Sequence, residues 1–141
     1  MINGKKIKVI NDSKSTSFSS TQELIDTKKK TFWILGGLPK KGDKFTLSKK
    51  DCFNLRAYIF GKNAEFFVKR LKDKVHYQKF NNMISAIKKI KIDFKKEQMS
   101  NEKIILFSPA SASFDDFKNF EDRGKYFLSL IHISEPTRRK H

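Results

Sequence analysis

The chain has one cysteine, Cys52, which excludes an internal disulfide framework and suits a reducing compartment. It has no apolar run long enough to span a bilayer and no cationic leader followed by one, so a soluble, cytoplasmic protein without membrane insertion is expected. Neither a GxxxxGK[ST] loop nor a GxGxxG turn occurs. The chain therefore shows no engine for nucleoside triphosphate chemistry and no dinucleotide fingerprint. Arginine is also scarce: the formal charge of +16 comes mostly from lysine, as in Lys28-Lys29-Lys30, Lys88-Lys89 and Lys95-Lys96. Lysine spread in this way reads as a solvated surface rather than a base-reading one, so no specific nucleic acid is expected. A basic nucleic-acid-binding module and a standalone, non-catalytic ligand-binding module are the competing readings.

At 141 residues the chain is most simply one domain with one core. Only 38% of residues are apolar, but 14 phenylalanines deliver much burial per residue, which argues against global disorder. Apolar runs recur with helical patterns between them. Lys6 to Ile10, Phe32 to Leu35, Arg56 to Phe60, Val75 to Tyr77 and Ile104 to Phe107 read as strands. Ser20-Thr21-Gln22-Glu23 is a capping-box pattern that predicts a helix through about Thr27. A short helical piece is expected at Ser48 to Phe53, and helices over Asn63 to Leu71, around Met83, Ile84, Ile87 and Ile90, and from Asp115 onward. Continuous rather than alternating apolarity implies strands covered on both faces. The expectation is an α/β, Rossmann-like three-layer domain with a mostly parallel sheet and helices on both faces.

Polar clusters follow three of these runs. Asn11-Asp12-Ser13-Lys14-Ser15-Thr16 follows the first; if that segment stays extended, alternation sends Asp12, Lys14 and Thr16 toward one cleft, though Asn11 and Asp12 are also ordinary turn formers. Gly36-Gly37-Leu38-Pro39-Lys40-Lys41-Gly42-Asp43 is a glycine-rich turn whose lysines suit a substrate carboxylate or are plain surface charge. Ser108-Pro109-Ala110-Ser111-Ala112-Ser113 follows the last run, and Ser113 with Asp116 has capping-box spacing. A ligand carboxylate and an N-cap both seek the same unpaired N–H groups.

Ile10 to Thr16, Leu35-Gly36-Gly37 with Lys40, and Ser108 through Asp115-Asp116-Phe117-Lys118-Asn119-Phe120-Glu121-Asp122-Arg123-Gly124, in that order, resemble the C-terminal domain of the Mur ligases, in the form found in the D-glutamate-adding members. The resemblance covers about residues 3 to 130. It implies residues 1–130 as a D-glutamate-binding domain, with the UDP-sugar-binding and central ATPase domains missing. An abrupt start just before the first strand fits a fragment, inactive by itself. ATP and Mg2+ would be bound mainly by the missing central domain, with none held tightly here and no metal ligand in this chain. By the same resemblance Lys14 is catalytic, near the reacting phosphate and acyl groups, and Asp12 lies by the nucleotide ribose. Thr16, Lys40, Ser113, Phe114 and Phe120 surround D-glutamate, which is joined to UDP-N-acetylmuramoyl-L-alanine. Phe120 also has a plain reading as a core ring. Leu38-Pro39 and Ser111 depart from the family pattern, and Lys41 beside Lys40 leaves the clamping lysine open. Residues 131–141 change from lysine to arginine and contain Pro136, and are set apart as a non-native or disordered tail.

Overall fold

The computed structural model describes residues 7–96, 103–110 and 120–134. Strands β1 (Ile7–Asn11), β2 (Lys30–Gly36), β3 (Leu55–Phe60), β4 (His76–Phe80) and β5 (Lys103–Phe107) form one sheet in the order β1-β5-β2-β3-β4. Every pairing is parallel, including Phe32 with Ile105 and Ile34 with Tyr58. The chain steps outward from β2 to β4 and returns to insert β5 between β1 and β2. Helices α1 (Phe18–Gln22), α2 (Ala64–Leu71), α3 (Met83–Lys96) and α4 (Phe120–Ser134) connect and cover it.

The continuous apolarity of β2 follows from two-sided burial: Thr31 through Gly36 are all buried. Period-two geometry sends Trp33 and Leu35 to one face, where they meet Phe18 of α1 and Phe67, Val68 and Leu71 of α2. Phe32 and Ile34 go to the other face, against Met83, Ala86, Ile87 and Ile90 of α3 and Phe127 of α4. Helices thus pack on both faces of a parallel sheet, a Rossmann-like three-layer fold. Aromatic rings tie the first layer together. Phe18 meets Trp33, Phe45 and Phe67 edge-on, with centroids 6.3, 5.5 and 6.0 Å away.

Two elements differ from the sequence reading. Helix α1 begins at Phe18, with Ser17 as N-cap accepting from the Ser20 N–H at 3.3 Å, and ends at Gln22 rather than near Thr27. The serine-rich run offers several equivalent caps, and burial of Phe18 and Thr21 selects the one that turns both inward. Strand β4 runs on to Phe80. It is an edge strand whose residues 76 to 79 are exposed, so no apolar run marks its length. The expected start of the last helix, near Asp115, lies outside the described residues, as do 135–141; α4 itself continues through Ser134. No helix among the described residues is long and apolar enough to cross a membrane.

One polar cluster braces the α3 layer. Tyr58 donates its hydroxyl to Asp93 Oδ2 at 2.7 Å, Gln78 Nε2 approaches the same oxygen at 3.4 Å, and Lys89 Nζ lies 3.0 Å from Oδ1. Desolvation pushes the Asp93 carboxyl up, but hydrogen bonds from Tyr58 and Lys89 outweigh it and hold the group below its usual range. A carboxylate depressed in the folded state stabilises above its unfolded pKa, near 4, and loses that contribution as pH falls through the folded value. Tyr58→Phe is expected to cost about 1.5–3 kcal/mol at pH 7 and to flatten the acid limb of stability against pH. Urea denaturation of both proteins between pH 2 and 7 checks this, and parallel curves would refute it.

Candidate functional site

A parallel sheet places the carboxyl ends of all its strands on one edge, and β5 lies between β1 and β2. The loops after β1, β5 and β2 are therefore neighbours. Backbone bonds stitch them: Asp12 N–H to Phe107 O at 2.7 Å, Ser108 N–H to Ile34 O at 3.2 Å, and Gly36 N–H to Pro109 O at 3.4 Å.

The loop after β1 is a turn, not an extended segment. Ser15 donates its N–H to Asp12 O at 3.0 Å, so Asp12, Lys14 and Thr16 are not aligned by strand alternation. Local polar bonding overrides that pattern, as Asn, Asp and Ser side by side favour a turn. Asp12 is half-buried, with Oδ2 accepting from Ser108 Oγ at 2.9 Å. Ser15 is buried, whereas Lys14 and Thr16 on either side of it are exposed. Ser15 Oγ lies 2.9 Å from Thr21 Oγ1, which in turn lies 2.6 Å from Ser108 Oγ. Trp33 Nε1 donates to the Ser108 carbonyl at 2.7 Å.

Helix α4 supports the same loop from the other side. Arg123, 1% exposed, donates from Nη2 to Ser13 O at 2.8 Å. Burial lowers its pKa to about 10, which leaves it cationic at neutral pH. Gly124 permits the close approach: a Cβ there would stand 2.5 Å from Ser13 Oγ and 3.0 Å from Asn11 Nδ2. Ala110 leaves the site region with φ 57, the left-handed conformation that a side chain rarely adopts.

The loop after β2 is pinned against α1. Asp43 donates its N–H to Lys40 O at 3.0 Å, closing a turn with Lys41 at its corner. The Asp43 carboxylate accepts from the Phe18 N–H at 2.8 Å, and its carbonyl accepts from Arg70 Nε at 2.9 Å. Asn63 Nδ2 reaches Gly37 O at 3.1 Å. Phe18 follows Thr16 by two residues, so the Lys40 turn and Thr16 are held at the same helix start. Lys40 and Lys41 are both exposed.

Of the residues singled out from sequence, the fold therefore collects Asp12, Lys14, Thr16 and the Lys40 turn on one edge. Ser113 and Phe114 lie outside the described residues, and Phe120 is described only as the backbone opening α4. Sequence reasoning gave no role to Ser15, Thr21, Ser108 or Arg123. Ser108 stood inside a noted cluster, but Thr21 was absorbed into a capping pattern, and a buried polar residue carries no periodic signal of its own. Among the described residues no group of three His, Cys, Asp or Glu side chains is placed to hold a metal ion. Desolvation raises the buried Cys52 thiol to about 11, so it is protonated at neutral pH and unsuited to act as a nucleophile.

No family model matches the chain. Curated proteins do. The UDP-N-acetylmuramoylalanine--D-glutamate ligase of Wolbachia sp. subsp. Brugia malayi (strain TRS) is 37% identical over 123 residues, which is 86% of this chain and 24% of that protein. The protein of the same name from Nitrobacter hamburgensis is 35% identical over 130 residues, 91% of this chain and 28% of that one. The one from Agrobacterium fabrum (strain C58 / ATCC 33970) is 32% identical over 126 residues, 89% and 27%. These similarities support assignment to the Mur ligase family. The chain spans about a quarter of the length of these Mur ligase relatives. The similarity covers most of the chain and so most of the α/β fold.

Proposed function

We propose that this chain is the C-terminal, D-glutamate-binding domain of a cytoplasmic, ATP-dependent ligase that joins D-glutamate to UDP-N-acetylmuramoyl-L-alanine in peptidoglycan precursor synthesis. The observation that carries the reading is the Asp12–Ser108 hydrogen bond at 2.9 Å, which joins loops 96 residues apart on the edge where the Lys40 turn also arrives. The similarity to ligases of this activity supports it.

In this reading the alanyl carboxylate of the nucleotide sugar takes the γ-phosphoryl group of ATP, giving an acyl phosphate and ADP. The amine of D-glutamate attacks the acyl carbon, phosphate leaves with the C–O bond electrons, and the amine gives up a proton as the amide forms. Asp12 accepts a ribose hydroxyl through the carboxylate oxygen not engaged by Ser108. Lys14, exposed on its turn, supplies positive charge to the phosphate and acyl oxygens. D-glutamate has two carboxylates, so Thr16, Lys40, Ser113, Phe114 and Phe120 must provide a cation and directed donors more than an apolar pocket. Magnesium supplies charge neutralisation at the phosphates when bound. The described side chains offer no ligand set for it, and it is assigned with the ATP cradle to the domain that precedes this one in the proposed parent.

The test is a chimera in which this chain replaces the matching segment of the Wolbachia relative. D-glutamate-dependent phosphate release, with ATP, magnesium and UDP-N-acetylmuramoyl-L-alanine present, is expected from the chimera and not from the chain alone. A folded chimera that binds ATP but releases no phosphate on addition of D-glutamate would overturn the assignment.

A further inference from the structure

We propose that the buried hydroxyls of Ser15, Thr21 and Ser108 form a one-way hydrogen-bond relay that presets Asp12 for a nucleotide ribose and orients Lys14 and Thr16. The three are positioning residues, acting through Asp12 and the loop. The proposal rests on the ligase reading above for what Asp12 binds, but the relay itself stands on geometry.

The direction of the relay follows from proton counting. An ionised carboxylate only accepts, so the 2.9 Å contact requires Ser108 to donate to Asp12 Oδ2. Ser108 has then used its one proton, and the 2.6 Å contact requires Thr21 to donate to Ser108. Thr21 is spent in turn, so the 2.9 Å contact is a hydrogen bond only if Ser15 donates to Thr21. Ser17 O, at 3.3 Å from Ser15 Oγ, is the longer alternative acceptor. With Ser15 donating along its shorter contact to Thr21 rather than to Ser17 O, all three protons run toward Asp12, and each bond polarises the next.

The relay is sealed from water. Thr21 and Ser108 are 0% exposed and Ser15 2%. Valine would pack where Thr21 sits without burying a hydroxyl, so the hydroxyl's distinctive contribution is its bonds. Those bonds close the functional loop on itself. Asp12 is held at one end and Ser15 at the other, and Lys14 and Thr16 on either side of the buried Ser15 are exposed.

Two readouts test the proposal. In the chain itself, carbon- and nitrogen-coupled three-bond NMR constants report the Asp12 χ1 rotamer. A single rotamer is expected in the wild type, averaging in Thr21→Val although Thr21 does not touch Asp12, and a single rotamer again in Thr21→Ser. Should Thr21→Val fail to fold, Ser15→Ala at the far end of the relay gives the same comparison. An Asp12 that stays locked when the relay is cut overturns the proposal whatever the enzyme does. In the chimera, Thr21→Val is expected to raise the KM for ATP about three- to tenfold with a smaller change in kcat, as loss of one net hydrogen bond allows. Loss of kcat alone, or no change, overturns the functional half. A wild-type chimera that is inactive overturns the ligase reading, while the rotamer measurement still decides the relay.

Discussion

Gly36→Ala is expected to destabilise the domain by about 3 kcal/mol, the upper end of the range for forcing an atom into a filled space. Gly36 ends β2 and pairs with Phe60 of β3, and its N–H bonds the Pro109 carbonyl at 3.4 Å. A Cβ there would fall inside the van der Waals envelope of the Phe60 carbonyl oxygen and 2.9 Å from Cγ and Cδ2 of the Phe60 ring. The ring could rotate, but the carbonyl belongs to a neighbouring strand and moves only if the sheet moves. The φ of 157° adds strain for any residue with a side chain. Gly61→Ala separates the two effects, because Gly61 has φ 98° and nothing within 4 Å of the place its new methyl group would take. It is expected to cost only backbone strain, about 1–2 kcal/mol. Urea denaturation of both variants decides the matter, and a Gly36→Ala no worse than Gly61→Ala would refute the steric account. Because β2 delivers the Lys40 loop and abuts the β5 loop, the same change is expected to disturb the candidate site before the far end of the sheet.

That asymmetry explains which parts of the molecule are legible in the sequence. The layered fold is, because its cause is repeated at every strand: Phe32, Trp33, Ile34 and Leu35 form an unbroken apolar run only because both faces of β2 are covered. Edge strand β4 is less so, since His76 to Lys79 face water and show no run to measure. The candidate site is legible as three polar clusters but not as an arrangement. Alternation suggested that Asp12, Lys14 and Thr16 share a face, and the Ser15 N–H to Asp12 O turn replaces that with a different presentation. The supporting residues are hidden for a further reason. Thr21 and Ser108 look like surface polar residues in a linear chain, and become buried partners only when β5 inserts beside β1 and α1 turns inward. Arg123 and Gly124 sit next to each other in a helix whose other residues suggest ordinary packing, and their meaning comes from Ser13 lying against them. Periodicity finds layers; it does not find contacts between segments far apart in sequence.

The lysine pair gives the larger functional expectation. In the chimera, Lys40→Ala is expected to weaken use of D-glutamate about ten- to a hundredfold, the loss of one charge-assisted contact worth roughly 1.5–3 kcal/mol, with the KM for ATP little changed. The geometry distinguishes the two lysines. Lys40 is the first residue of the turn closed by the Asp43 N–H, and the Asp43 carboxylate fixes that turn to the Phe18 N–H at the start of α1, two residues beyond Thr16. Lys41 stands at the turn's corner; both lysines are exposed, so position in the turn is what separates them. Asp43 is also held by Arg70 Nε, so the turn is anchored by α2 as well as α1. In the proposed reading a lysine on an anchored turn suits a carboxylate, and the amino-acid substrate brings two where the ribose brings none. Lys41→Ala is therefore the internal control, expected to change the KM for D-glutamate less than about threefold, within the range of an exposed charge. Steady-state kinetics of both variants, each with D-glutamate and ATP varied in turn, decide it. A larger defect for Lys41→Ala would move the clamp one residue along the turn. An equal, small effect in both would reduce the pair to surface charge and leave Thr16 and Ser113 as the polar contacts of the proposed reading.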